Sequence, residues 1–178
     1  MTQKFRTAVA DPPWLELGGG KIQRGANKHY DLLKTKDIPG VITGSGLWNF
    51  EENAHFYCWV TNNFLKDGLW LMEELGFRYV TNIIWMKEKI GIGQYFRGKH
   101  EILLFGVRGK GLDSSVCTDD KSIPSAYVAP HEKEDGKIVH SRKPEMFYEM
   151  IESRSKGPYL EMFARNTRKD WISWGNEI

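Results

Sequence analysis

Short apolar runs alternating with stretches of helical periodicity predict an α/β fold, a mostly parallel twisted sheet with helices on both faces. Three observations carry that reading. The runs at 5–10, 54–61, 77–86, 101–107, 159–163 and 171–174 are short and rich in apolar, β-branched and aromatic residues, as buried strands are. Stretches following Asn62 and Pro144 repeat apolar residues at helical spacing. A chain of 178 residues, 40% of them hydrophobic, can bury one core and is short for two, so residues 1–178 read as a single domain.

The run at 5–10 stops abruptly at Asp11, Pro12 and Pro13, as a buried strand entering a loop would. Residues 15–27 carry Gly18, Gly19 and Gly20 among basic residues and read as a mobile loop, a candidate lid. After the strand at 54–61, Asn62 or Asn63 is expected to cap a helix whose apolar positions are Phe64, Leu65, Leu69, Met72 and Leu75, with Gly76 ending it. A strand over 77–86, a basic loop and a strand over 101–107 follow. Residues 110–139 show little periodicity beyond a short strand at 126–128. Pro144 suits a first helical turn, and Met146, Phe147, Met150 and Ile151 give that helix one apolar face. Two strands close the chain.

Composition narrows the function classes. No run approaches the roughly 18 apolar residues of a membrane-spanning helix, and the N-terminus lacks a signal-peptide apolar core, so a cytoplasmic protein without membrane contact is expected. Cys58 and Cys117 form no zinc-binding or disulfide pattern and are expected to be reduced thiols. His29, His55, His100, His131 and His140 lack metal-site spacing, so no metal is expected. The net charge of +2 is uninformative, but its distribution is not. Lys87, Lys89, Arg97, Lys99, Arg108 and Lys110 oppose only Glu88 and Glu101, and Arg165, Arg168 and Lys169 cluster near the C-terminus. Cations beside Tyr95 and Phe96 suit a phosphate backbone and an unpaired base.

Asp11, Pro12, Pro13 and Trp14 form the candidate catalytic group. An exocyclic purine nitrogen is a poor nucleophile because its lone pair is delocalised into the ring. If the Asp11 carboxylate and a carbonyl of Pro12 or Pro13 each accept one amino hydrogen, the nitrogen approaches tetrahedral geometry and its lone pair is aimed. Proline fixes the direction of neighbouring carbonyls, and Trp14 can stack on a base drawn out of its helix. Trp48, Trp59, Trp70, Trp85 and Trp174 read as packing residues.

The motifs VADPPW (9–14), YCWVTNNFL (57–65), GFRYVTNIIWMK (76–87), YFRGKHEILLFGVRG (95–109), SRKPEMFYEMIE (141–152) and YLEMFARNTRKDWISWGNE (159–177), in this order, resemble the MT-A (seventy-kilodalton subunit) family of adenine-N6 methyltransferases. The resemblance implies a Rossmann-like methyltransferase sheet in permuted order, with the catalytic motif first and the cofactor strand near the C-terminus. It implies S-adenosylmethionine as cofactor and S-adenosylhomocysteine as product. The cofactor-binding residues it implies are Asp11, Lys143, Glu161, Phe163, Arg165, Asn166, Asn176 and Glu177, with Lys143 on the methionine carboxylate and Glu177 on ribose hydroxyls. Trp14, Tyr95, Arg97, Lys99 and His100 fall on the target side. Ala164 stands where many members have glycine, and Arg142 where the messenger-RNA enzyme has histidine.

The expected activity is methyl transfer to the N6 amino group of adenine in nucleic acid. DNA is expected rather than RNA because compact relatives of this kind commonly act on DNA. An RNA enzyme, a catalytically silent nucleic-acid-binding subunit, and a methyltransferase acting on a small molecule or a protein nitrogen are the alternatives. The resemblance also implies a homodimer or heterodimer.

Overall fold

The computed structural model describes residues 3–15, 32–91, 95–134, 137–138, 142–176 and 178. In chain order its elements are β1 (Phe5–Ala10), α1 (Ile38–Gly44), β2 (Phe50–Val60), α2 (Leu65–Glu74), β3 (Arg78–Lys87), β4 (His100–Arg108), β5 (Ala126–Ala129), β6 (Lys133–Glu134), β7 (Lys137–Ile138), α3 (Glu145–Arg154), β8 (Tyr159–Met162) and β9 (Trp171–Trp174). Seven strands form one sheet in the order β5-β3-β4-β2-β1-β8-β9, and β6 pairs with β7 in a separate ribbon. β1 lies parallel to β2 and β8, β8 to β9, and β3 to β5. Only β4 is reversed, antiparallel to both β2 and β3.

β1 reads as an unbroken apolar run because both faces of the sheet are covered. On one face Phe5, Ala8 and Ala10 join Ile38 and Ile42 of α1 and Leu71 and Met72 of α2. On the other, Val9, Tyr57 and Trp59 join Phe147, Met150 and Ile151 of α3. The expected α/β sheet with helices on both faces is therefore the observed architecture. α2 lies close against the sheet because position 68 is glycine: a Cβ there would come within 2.4 Å of Val60 Cγ1 and 2.8 Å of Leu104 Cδ1. Gly76, at φ +81°, ends the segment that follows α2, as expected.

Several local expectations are corrected. β2 begins at Phe50, four residues before the apolar run, because its first half carries Glu51, Glu52 and Asn53 on a half-open face. Neither Asn62 nor Asn63 caps α2; both lie in a 3-10 turn (Asn62–Phe64) that precedes it. Leu65 faces outward and Leu71 takes the core position. Pro144 sits just before α3 rather than in its first turn, and Phe163 lies beyond the end of β8. Trp70 is exposed rather than packed. The expected lid, 15–27, lies outside the described residues apart from Leu15.

All the parallel strands end at one edge of the sheet. β4, being reversed, begins there, and α3 starts there in order to return the chain to the head of β8. Asp11, Lys87, Glu101, Lys143 and Phe163 are thus collected on one edge from five separate segments. The strand order turns between β1 and β8, where a crevice forms in open α/β sheets. No helix of the described residues is long and apolar enough to cross a membrane.

Away from that edge, His55 is fully buried. Its Nε2 lies 2.7 Å from the Gly111 carbonyl, which can only accept, so Nε2 carries the proton and Nδ1 accepts from Ser155 Oγ at 2.7 Å. The Tyr57 hydroxyl then donates to Ser155 Oγ at 2.7 Å. His55 and Ser155 are both 0% exposed, so this Ser–His pair is structural and no substrate can reach it. Burial, reinforced by Arg154 and opposed by the Gly111 hydrogen bond, holds the His55 pKa below the ordinary 6.5. The unfolded chain therefore binds more protons just below pH 6.5, and stability falls as pH drops through that window. His55→Gln is expected to cost about 1–3 kcal/mol at pH 7 and to flatten the decline between pH 7 and 5 in urea melts. An unchanged slope would remove His55 from the acid response.

Candidate active site

At the tip of β1 the chain turns through Asp11, Pro12, Pro13 and Trp14, and hydrogen bonds fix the direction of both proline carbonyls and of the Trp14 indole. The Pro12 carbonyl accepts the Trp14 backbone N–H at 2.9 Å, and the Pro13 carbonyl accepts the Leu33 N–H at 2.8 Å. Each carbonyl retains a second lone pair for a ligand hydrogen. The Trp14 indole N–H donates to the Trp59 carbonyl at 3.1 Å, and its ring stacks on Phe64 at 5.3 Å and 16°. The indole is therefore held rigidly with one face packed.

Asp11 anchors a chain of charges. Lys143 Nζ lies 2.7 Å from Asp11 Oδ2 and 3.4 Å from Glu101 Oε2, and Lys87 Nζ lies 2.5 Å from Glu101 Oε1. The ammonium of Lys143 also sits 5.4 Å from the Trp59 ring centroid, and that of Lys87 sits 4.9 Å from the Trp85 ring centroid. Burial alone would drive the Lys143 pKa down, but Asp11 and Glu101 hold it above the ordinary lysine value. Burial likewise works to raise the Glu101 pKa, and Lys143 and Lys87 overcome it and bring the carboxylate below its ordinary value. Lys143 and Glu101 are thus held in their charged forms at neutral pH by their ion-pair partners.

Beside this chain opens a cavity of about 510 Å³. Asp11, Lys143, Glu161, Phe163, Arg165 and Asn166 line it, six of the eight residues expected to bind a cofactor. Asn176 is exposed and does not line it, and Glu177 lies outside the described residues. Tyr148 donates to Glu161 Oε1 at 2.5 Å. Burial raises the Glu161 pKa despite that bond. Phe163 is held at φ +62°, a left-handed conformation rare for an aromatic residue, where the chain leaves β8 and turns around the cavity. Arg142 donates to Asn166 Oδ1 at 3.3 Å.

Pro12, Pro13 and Trp14 adjoin the cavity in sequence but do not line it. Tyr95, Arg97 and Lys99 project from the β3–β4 connection, and half-buried His100 opens β4; these too lie outside the lining. Sequence reasoning missed Glu101, which appeared as one acid among cations, and Tyr148, which appeared as one more aromatic on a helix. It registered Arg168 only as charge. The Arg168 guanidinium packs 3.6 Å from the Tyr148 ring centroid and pairs with Glu145, while its buried Nε finds no protein acceptor. Among the described residues, no group of three or more His, Cys, Asp or Glu is placed to hold a metal ion. Cys58 and Cys117 are free and buried.

A family model, MT-A70, matches residues 5–177. The chain belongs to the MT-A70 family. It is similar to a putative N(6)-adenosine-methyltransferase MT-A70-like protein of Medicago truncatula, 29% identical over 98% of this chain and 26% of the relative. The catalytic subunit METTL3 of the human N(6)-adenosine-methyltransferase is 26% identical over 98% of this chain and 28% of its own length. The type II methyltransferase M.MunI of Mycoplasma is 25% identical over 99% of this chain and 78% of its own length. The chain thus spans about a quarter of the plant and human relatives and most of the bacterial one. Its sheet, with the Asp-Pro-Pro-Trp strand first in sequence and the β8 strand of the cavity near the end, is the permuted Rossmann-like arrangement of MT-A70 methyltransferases.

Breaking the charge chain tests whether it supports the fold as well as the site. Lys143→Met leaves two carboxylates facing a gap and is expected to cost about 3 kcal/mol in chemical denaturation at pH 7. Lys99→Ala, on the exposed connection, should change stability by less than about 0.5 kcal/mol. Protonating Glu101 removes its ionic contacts, so the loss caused by Lys143→Met should shrink as pH falls below the ordinary carboxylate value of 4.5.

Proposed function

We propose that this chain transfers a methyl group from S-adenosylmethionine to the N6 amino group of adenine in nucleic acid, with DNA as the substrate. The observation that carries the reading is the position of Asp11. Asp11 lines the cavity while belonging to the Asp-Pro-Pro-Trp turn, which supports one carboxylate serving both a cofactor and a base.

The residues present fit the cofactor. An amino-acid zwitterion needs a cation and an anion close together, which Lys143 and Asp11 provide at 2.7 Å. Ribose hydroxyls and ring nitrogens need mixed donors and acceptors; Glu161 and Asn166 in the cavity lining would supply them. The cavity volume lies within the usual range for ligands of this size. When bound, S-adenosylmethionine supplies an electrophilic methyl on a positively charged sulfur.

The chain's own groups do the rest. Asp11 and the second lone pair of the Pro12 or Pro13 carbonyl accept the two amino hydrogens and direct the nitrogen lone pair. Trp14, stacked on Phe64 on one face, would stack on the base with the other. The Asp11 carboxylate would stabilise the positive charge that develops on the amino nitrogen when a bound cofactor supplies its methyl. The methylated nitrogen is then acidic and sheds its proton without a strong base.

M.MunI, named as a type II methyltransferase and spanned by this chain over 78% of its length, supports the DNA reading. The relatives named as N(6)-adenosine-methyltransferases favour the second reading, adenosine in RNA. Against a silent binding subunit stand the intact Asp11–Lys143 pair and the cavity beside it.

Labelled methyl incorporation into duplex DNA, single-stranded DNA and RNA, with Asp11→Ala alongside, tests the reading. The substitution is expected to lower turnover by about 10³-fold, in the range for losing an electrostatic stabiliser. Full activity in Asp11→Ala would remove the proposed mechanism, and incorporation into RNA alone would move the substrate to RNA. Calorimetry showing no heat with S-adenosylmethionine would favour a silent subunit.

A further inference from the structure

The connection between β3 and β4 carries two neighbouring aromatic side chains almost wholly in solvent: Tyr95 is 93% and Phe96 91% exposed. Single exposed apolar residues are ordinary on protein surfaces, but two adjacent rings at such exposure mark a contact site. Hydrogen bonds hold the neck of this connection. Lys87 N–H donates to the Lys99 carbonyl at 2.8 Å and Gly91 N–H to the Gly98 carbonyl at 2.6 Å. Arg97 Nε donates to the Gly91 carbonyl at 3.0 Å. The β3–β4 pairing is thereby extended beyond the sheet, and the two rings are presented on a braced stem.

That stem rises from the reactive edge. Its base is the Lys87–Glu101 pair, and Glu101 is joined through Lys143 to Asp11. The connection that carries the rings is mostly cationic: Lys89, Arg97 and Lys99 are exposed against one exposed acid, Glu88. Lysine is depleted in protein–protein interfaces, whereas aromatic rings flanked by Lys and Arg match the stacked bases and phosphates of a nucleic acid.

We infer that Tyr95 and Phe96 form an intercalating wedge that enters a duplex at the step vacated by the target adenine, with Arg97 and Lys99 on the flanking phosphates. This rests on the proposed function, since a base can reach Asp11 only after leaving its stack. Extruding it opens a gap between neighbouring base pairs, and an apolar side chain that fills the gap replaces lost stacking. A wedge is useful only where there is a stack to hold open, so its contribution should be confined to double-stranded substrate. No bond is made or broken by these residues; they position the target.

The test compares wild type, the Tyr95→Ala/Phe96→Ala double variant and the Tyr95→Trp/Phe96→Trp double variant on unmethylated genomic DNA, native and heat-denatured. The alanine variant is expected to lose about 30-fold in kcat/KM on native DNA, a loss of the order that an unfilled base step implies. It should stay within about 3-fold on denatured DNA, and the tryptophan variant should recover most of the loss. With 2-aminopurine placed at an adenine mapped by sequencing wild-type product, the fluorescence rise on binding should shrink in the alanine variant. Unchanged heat with S-adenosylmethionine in each variant shows that the fold and cofactor site are intact.

An equal loss on both DNA forms overturns the wedge and makes the rings a single-strand stacking platform. No loss on either form overturns it while leaving the proposed activity standing. Dissociation of a wild-type dimer in sedimentation velocity, with 2-aminopurine fluorescence unchanged, overturns it in favour of a protein interface. Failure of wild type to methylate either form takes down the functional reading and the wedge together.

Discussion

The Lys143 ammonium, with 6% of its side chain open to solvent, has to be solvated by the protein, and Asp11 and Glu101 do so from opposite sides. A buried ion of one sign is costly unless its partners are close and themselves supported. The support continues outward, because Glu101 would be a poorly solvated carboxylate were it not also held by Lys87 at 2.5 Å. Four residues from β1, β3, β4 and the start of α3 are thereby locked in register. Displacing any of these segments separates charges that the interior cannot solvate. The charge chain is accordingly a constraint on the sheet edge as much as a property of the site.

The reversed strand makes this arrangement feasible. A parallel strand between β2 and β3 would bring its C-terminal residue to the reactive edge and would need a long crossover. β4 instead follows β3 through a hairpin-like connection and delivers its first residues, His100 and Glu101, to that edge. The same reversal places the β3–β4 connection beside the charge chain. One topological choice therefore supplies both the inner anchor for Lys143 and the outer stem that carries Tyr95 and Phe96.

What could be read from the sequence divides along physical lines. β1 and its Asp-Pro-Pro turn were legible because a strand covered on both faces reads as an apolar run, and proline marks where it stops. β9, an edge strand, was legible to the residue because Trp171, Ile172 and Trp174 are strand-favouring aromatic and β-branched residues ahead of Gly175. α1 was invisible: Pro39, Gly40 and Gly44 beside Val41, Ile42 and Thr43 are poor helix formers, and burial of Ile38 and Ile42 at 0% exposure overrides that preference. Asp11 was named from its place beside the paired prolines and Lys143 from motif resemblance, yet their contact spans 132 positions and no local pattern signals it. Glu101 was obscured for the opposite reason, since in a basic stretch an acid looks like dilution of charge until its cationic partners are seen around it.

In the proposed reaction Asp11 must serve a base and a cofactor while Lys143 holds it, and Glu101 reconciles the two demands. An ammonium with a single carboxylate partner could release it only by becoming an unpaired buried charge, at a cost of several kcal/mol. Lys143 has a second carboxylate beside it, Glu101, which is itself braced by Lys87. A ligand carboxylate can then take the place of Asp11 at Lys143 while Glu101 keeps the ammonium paired throughout. Released from Lys143, Asp11 has lone pairs for the hydrogens of an amino group. The network thus lets one carboxylate change partners without leaving any charge unsolvated on the way.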